Sequence, residues 1–265
     1  MRLTVLGARG SMPGEGGNVA VYGGSTSCYR IKVGNEEIYL DAGSGIAGVM
    51  PEKNTNVSIL LTHMHLDHLV GLPFFSALGE AKRKVSIYGG ERDGLSVKNA
   101  VDRLIVPPFW PICIENYPAS VEFHSLNENG AFKLGIASIE YMEGNHPGGS
   151  TVFKIACNGK SIVYATDFEH NDKSAVHRLT DFAAGADLFL YDAQYTEKEY
   201  ERYVGYGHST PEAGLEIGSA AKVKAILFVH HAPHRSDAEL EEMQSKFSDN
   251  GIKVSFAKIG DDFLL

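Results

Sequence analysis

The chain has 265 residues, 43% hydrophobic and 22% charged, enough to bury a full core as a single domain over 1–265 and too apolar for intrinsic disorder. A formal charge of −9 and a pI near 5.6 give no general attraction to polyanions, so a long nucleic acid is predicted to be a poor partner. Cys28, Cys113 and Cys157 form no C-x-x-C pair, and neither an apolar signal core nor a run of ~20 apolar residues occurs, which predicts a cytoplasmic protein away from the membrane.

Short β-like runs begin at RLTVLG and continue through EEIYLDAG, VSILLTH, KVSIYGG, ASIEYME, STVFKIA, SIVYATD, DLFLYDA, KAILFVHH and KVSFAKIG. Helical patterns punctuate them at 94–105, about 211–222 and 236–247. The second opens on Thr210-Pro211-Glu212, an N-cap with proline in the first turn. The third opens on Ser236 with Glu239 three positions on, the capping-box pattern. Many strands with helices between and after them predict two β-layers covered by helices. A weak division falls near residue 140, without a repeat that would prove duplication. Residues 106–120, VPPFWPICIENYPAS, hold four prolines and the only tryptophan. This loop, with Phe109, Trp110 and Tyr117, is open to two readings: a lid or substrate wall, or an ordered cover over the core.

The stretch ILLTHMHLDHLVG, residues 59–71, carries the strongest chemical signal. Its apolar start reads as a buried strand, which places His63, His65, Asp67 and His68 at the strand's carboxyl end or in the loop leaving it. On extended backbone His63 and His65 share one face, so both imidazoles can reach one ion, while Asp67 and His68 turn toward a second position. Four such groups crowded together repel one another unless something positive sits between them.

In these residues the chain resembles the metallo-β-lactamase superfamily over essentially its whole length. The resemblance implies an α/β (α+β) fold, the four-layer αββα sandwich, with a two-metal site at the edge between the sheets. It also implies later ligands in a set order, and the chain supplies His146 in EGNHPGGS, Asp167 in SIVYATDFE and His230 in AILFVHH. Carried over by position, one metal would take His63, His65 and His146, the other Asp67, His68 and His230, with Asp167 bridging. His231 is an alternative to His230, which is preferred because it directly follows the strand. Asp41 in YLDAG would orient the histidine loop by hydrogen bonds, or be simply a turn carboxylate before Gly43. His124, His170, His177 and His234 lack such context. Nitrogen-rich ligands with one or two carboxylates suit two divalent ions, zinc first, with manganese and iron as alternatives.

Two close cations lower the pKa of a shared water and hold the attacked group, so metal-bound hydroxide and hydrolysis are the expected chemistry. Two divalent ions, two aspartates and a hydroxide leave one positive charge, which favours a small anionic substrate. DLFLYDAQYTEKEY and YGHSTPEAG resemble the paired motifs of the tRNase Z and cyclic-phosphodiesterase branch. By that resemblance Asp192 fixes the tautomer of His208, and His208 donates to a phosphoryl oxygen or to the leaving group; Asp67 is counted with them as catalytic. Asp192 is shorter than the branch's usual glutamate, and His208 could instead cap the helix near Pro211. GARGSMP and YGGSTSCY also resemble this branch, with Arg9 expected to brace a loop. The twenty-one positions from His146 to Asp167 are too few for the projecting arm with which many tRNase Z proteins grip tRNA, so a small cyclic or linear phosphodiester, or a nucleotide, is expected. The alternatives are a lactone, thioester or β-lactam hydrolase, a redox di-iron protein, disfavoured by His65 where those carry glutamate, and a non-catalytic metal-binding module. A homodimer fits the resemblance, although no apolar stripe marks one.

Overall fold

Alternation of inward and outward side chains sets the strand structure from the first residues. In the computed structural model, which describes residues 1–247 and 251–265, Leu3 and Val5 of β1 (Arg2–Gly7) face inward between more exposed neighbours. β2 (Cys28–Val33), β3 (Glu36–Leu40), β4 (Asn56–Leu61), β5 (Lys84–Gly90) and β6 (Ser120–Leu126) follow in the same sheet, with α1 (Val97–Leu104) on its outer face. β7 (Gly130–Leu134), β8 (Ala137–Gly144), β9 (Ser150–Cys157) and β10 (Lys160–Ala165) open the second sheet as an antiparallel meander. The pattern then changes to strand and helix: α2 (Lys173–Phe182), β11 (Leu188–Asp192), α3 (Glu197–Tyr203), α4 (Pro211–Ala220), β12 (Ala225–Val229), α5 (Asp237–Lys246) and β13 (Lys253–Phe256). Finally β14 (Asp262–Leu264) returns to pair with β1.

The sheets have the orders β14-β1-β2-β3-β4-β5-β6 and β13-β12-β11-β10-β9-β8-β7. In each, one half is antiparallel and the other parallel: β3 to β6 in the first, β10 to β13 in the second. A core lies between them, with Ile31, Ile38 and Leu60 against Ile139, Phe153, Ile155 and Leu190. The residues between these point the other way. Val57, Ile59 and Leu61 of β4 meet Val97 and Val101 of α1, and Phe189 and Tyr191 of β11 join Leu179 of α2, Ile217 of α4 and Leu240 of α5. Burying each such side chain stabilises the fold by about 1.5–3 kcal/mol, and parallel strands covered on both faces need apolar residues at nearly every position. The result is the αββα sandwich.

Several elements carry little signal in the sequence. β6 and β7 are the edges of their sheets, so SVEFHSL and GAFKL are half-exposed and carry little apolar signal. β2 alternates Arg30 and Lys32 with buried partners, and α2 is set by Asp172, whose side chain accepts the amides of Ser174 and Ala175. α1 starts later than residue 94 because Ser96 is its N-cap, and α5 opens on the expected Ser236–Glu239 capping box. The change of sheet falls between Leu126 and Gly130, earlier than residue 140. The Pro-rich loop is tied down: Trp110 donates to the Tyr117 hydroxyl, which donates to the Pro73 carbonyl. Phe109 remains exposed. Among the described residues no helix is long and apolar enough to cross a membrane.

Candidate metal centre

The carboxyl ends of five strands converge on one edge of the sandwich. Asp41 follows β3, Thr62 and His63 follow β4, Asp167 follows β10, Asp192 ends β11 and His230 follows β12. Asp41, Asp167 and His230 turn sharply there, with φ of 59°, 52° and 62°. Left-handed backbone at non-glycine residues costs on the order of 1–3 kcal/mol each and persists only where the surroundings hold it. Here hydrogen bonds do so: Asp41 accepts from the amide and hydroxyl of Thr62, from Tyr164 and from His68 Nδ1, and the Asp167 amide donates to Asp192.

A single 3₁₀ turn, Leu66–His68, swings Asp67 and His68 inward from the extended residues before it. The rings of His63 and His65 lie 4.3 Å apart, and those of His63 and His146 4.8 Å apart. His146 is oriented by Nδ1 donating to the Gly207 carbonyl at 2.9 Å, which leaves Nε2 3.3 Å from His65 Nδ1. In the second group, His68 Nε2 is 3.3 Å from Asp67 and 3.2 Å from Asp167, while His230 Nε2 is 3.7 Å from Asp67. Asp167 stands between the groups, 3.8 Å from His63 Nε2 and 3.4 Å from His230 Nδ1. The seven residues expected as metal ligands are thus brought together, in sets whose donor atoms lie within 4.8 Å of one another. His231 points elsewhere: its Nε2 meets the Ala257 carbonyl at 3.0 Å, and burial pushes its pKa down to about 3.

These residues fit bound metal ions. The Nε2 atoms of His63, His68 and His230 are buried without a hydrogen-bond partner among the described residues, an arrangement that costs about 1–3 kcal/mol per group unless a ligand completes it. Burial lowers the pKa of His63, His65, His146 and His230, favouring the neutral imidazole that ligates metals. Burial acts the same way on His68, but Asp67, Asp167 and Asp41 outweigh it and raise its pKa well above normal. Burial likewise opposes ionisation of Asp67 and Asp167, yet the surrounding histidines hold both carboxyls below their usual range. A field that favours positive charge this strongly suits a dication.

Beside the cluster, His208 Nδ1 lies 3.0 Å from Asp192 Oδ2, and the other Asp192 oxygen accepts the amides of Ser209 and Gln194. The shorter carboxylate therefore reaches its histidine. Burial disfavours charge on His208, but Asp192 overrides it and raises the pKa to about 9. The His208 ring stacks on His230 at 4.8 Å. Thr210, rather than His208, caps α4.

Other supporting residues were not recognised from sequence. Glu169 gathers the amides of Gly205 and Gly207 and the Tyr200 hydroxyl, which shapes the turn before His208. The Ser11 amide donates to Asp67 at 2.7 Å, and Ser27 and Thr166 hydroxyls sit 3.3 and 3.2 Å from His230 Nδ1. His170, one of the histidines without site context in the sequence, meets the Ser209 hydroxyl at 2.7 Å. Its position three after Asp167 in TDFEH was the one available signal. Arg9 braces loops as expected, donating to the carbonyls of Gly23, Ala232 and Arg235 from a fully buried position. His177 and His234 are exposed, and His124 stacks on Tyr88.

Comparison with known proteins agrees with this architecture. Ribonuclease Z of Pyrococcus abyssi is 24% identical over 82% of this chain and 83% of its own length. Human tRNase Z, short form, superposes with a TM-score of 0.71 at 16% identity, covering 100% of this chain and 99% of its own. A diphosphatase from the PhnP family gives 0.70 at 19% identity, covering 100% and 97%.

These relatives correct one expectation. Net negative charge and the short His146–Asp167 connection predicted that a long nucleic acid would be a poor partner, yet ribonucleases align along most of the chain. The physical reason is that net charge is an average. Lys198 and Arg202 on α3, neither of them ion-paired among the described residues, form one local cationic patch that the −9 total does not report. The profile of the beta-lactamase superfamily domain matches residues 37–231, the span from β3 to the histidines after β12, and the chain belongs to that family.

Proposed function

We propose that the protein is a dinuclear metal-dependent phosphodiesterase. The observation that carries this reading is the His208–Asp192 pair, stacked on His230 at the rim of the cluster. A hydrolase of neutral carbonyl substrates has the same use for the metals but less for a second, carboxylate-held imidazole beside them. The ribonuclease and diphosphatase names of its relatives support phosphorus as the attacked centre.

His63, His65 and His146 would hold one ion and Asp67, His68 and His230 the other, with Asp167 shared. When bound, zinc, manganese or iron would supply Lewis acidity, a water of lowered pKa and compensation for phosphoryl charge. The remaining work falls to the chain. Asp41 keeps Nδ1 of His68 occupied so that Nε2 faces the centre, and the Gly207 carbonyl does the same for His146. Asp192 holds Nδ1 of His208, so the proton passed to the leaving oxygen, or the hydrogen bond to a phosphoryl oxygen, comes from Nε2. Tight burial of Asp167, His68 and His230 excludes competing water from the ligand sets.

The diester is open in size, from cyclic or linear nucleotides to RNA. A panel of phosphodiesters set against a lactone, a thioester and a β-lactam tests the reading: turnover confined to the phosphodiesters is expected. Turnover of the carbonyl substrates with inert phosphodiesters would overturn it, and metal binding without turnover of either would favour a binding module.

A further inference from the structure

On the far side of Tyr195 from His208 lies a cavity of about 560 Å³ that the metal centre does not explain. Its walls include Tyr195, Tyr203 and Tyr206 together with Lys198, Arg202 and His234. The Tyr195 and Tyr203 rings are nearly parallel, 4.8 Å apart and inclined by 13°, and Tyr206 stands edge-on to Tyr203 at 5.4 Å. Tyr195 is buried and its ring touches that of His208 at 5.8 Å, so the aromatic wall starts at the proposed proton donor. Tyr203 and Tyr206, by contrast, are 39% and 63% exposed. Aromatic surface displayed beside a reaction centre is what a flat ligand would cover.

The charges around the cavity point the same way. Lys198 and Arg202 are four residues apart on α3 and so share a face, and among the described residues neither has an ion-pair or hydrogen-bond partner. Glu199, the acidic group in the wall, uses Oε2 to accept from Arg235 and from the Thr196 amide that it caps, while its Oε1 lies 3.8 Å from Nε2 of His234 and is not paired with Lys198 or Arg202. The cavity thus offers stacking faces and two uncompensated cations.

We infer that this tyrosine cavity binds the nucleoside of a nucleotide phosphodiester, the base against Tyr203 and Tyr206 and a flanking phosphate at Lys198 and Arg202. Stacking on aromatic side chains suits any base because every base has a π-face, and the free cations suit a neighbouring phosphate rather than a second neutral group. The inference rests on the phosphodiesterase reading for the bond that is cleaved, whereas the binding it describes can be measured without turnover.

The test uses the zinc-loaded full chain and the double variant Tyr203→Ala/Tyr206→Ala, whose two side chains are exposed enough to be removed without opening the core. Calorimetry compares thymidine 5′-monophosphate with deoxyribose 5-phosphate, which lacks the base, and kinetics compares the p-nitrophenyl ester of thymidine 5′-phosphate with methyl p-nitrophenyl phosphate. The wild type is expected to prefer the base-bearing member of each pair about 10-fold or more, the range that stacking gives, and the variant to lose most of that preference. Equal affinity for nucleotide and sugar phosphate in the wild type, or a preference that survives in the variant, would overturn the inference. Base-dependent binding that the variant loses, with neither ester turned over, would keep the nucleoside cavity and remove the phosphodiesterase reading.

Discussion

His208 Nδ1 stands 3.0 Å from Oδ2 of Asp192, and that same oxygen accepts the amide of Asp167 at 3.0 Å. One carboxylate on β11 therefore ties the proposed proton donor to the backbone of the proposed bridging ligand. Loss of its charge disturbs both, whereas loss of the imidazole leaves the ligand backbone in place.

This asymmetry separates two variants. His208→Ala is expected to retain both metals and to lose about 10²-fold or more in kcat, as removal of a general acid does. Asp192→Asn should lose turnover and some bound metal as well. Metal analysis alongside kcat on bis(p-nitrophenyl) phosphate checks both, and an unchanged rate in His208→Ala would take His208 out of the mechanism.

Asp41 acts at one remove, through His68. Its buried carboxylate accepts from His68 Nδ1 at 2.7 Å, from Tyr164 at 2.8 Å and from Thr62. Asp41→Asn is expected to weaken metal binding by about 10–100-fold, the usual effect of losing a carboxylate behind a ligating histidine. Competition with a chelator measures it, and unaltered affinity would reduce Asp41 to a turn residue.

Gly207 should tolerate no side chain. Its φ is +90°, and a Cβ there would lie 2.0 Å from His146 Nδ1, the atom that its own carbonyl orients. Gly207→Ala is expected to displace His146 and to lower the affinity of the His63, His65 and His146 set about 10-fold or more, read as metal retained after dialysis.

Away from the site, Asp187 links three strands of the second sheet. Desolvation works against its charge, but hydrogen bonds from Lys224, the Ser161 amide and Lys160 lower its pKa from 3.8 to about 2. A folded pKa below the unfolded one means that its stabilisation is present in full above pH about 4 and is lost as pH falls toward 2. Both lysines are half-exposed and screened, so the contribution is about 1 kcal/mol. Denaturant titration of Asp187→Asn should show that deficit at neutral pH and only a small remainder near pH 2, where Asp187 is half protonated; the same deficit at both would assign it to packing.

How much of this was legible in the sequence depended on range. His63, His65, Asp67 and His68 announce themselves by spacing within a few residues of an apolar strand, and His146, Asp167 and His230 each follow a strand-like run. The partners that hold them are another matter. Tyr164 reaches Asp41 across 123 positions and Ser11 reaches Asp67 across 56, contacts that no local pattern encodes. α3 was missed although Thr196 and Glu199 form the same capping box that marked α5, because its charged run EKEYERY lacks an apolar stripe. Edge strands β6 and β7 were invisible for the complementary reason, having water on one side and no strict alternation. The acidic total charge misled about nucleic acid because it is an average, and it conceals Lys198 and Arg202, which have no ion-pair partner among the described residues.

On the proposed reading, two ions held by these seven residues make the chain a phosphodiesterase. Its most direct test is a titration of metal-free protein with zinc or manganese, following turnover of bis(p-nitrophenyl) phosphate and bound metal together. Activity that climbs with occupancy and levels off at two ions per chain is the predicted result. Two ions bound without turnover, or full activity at one, would contradict it.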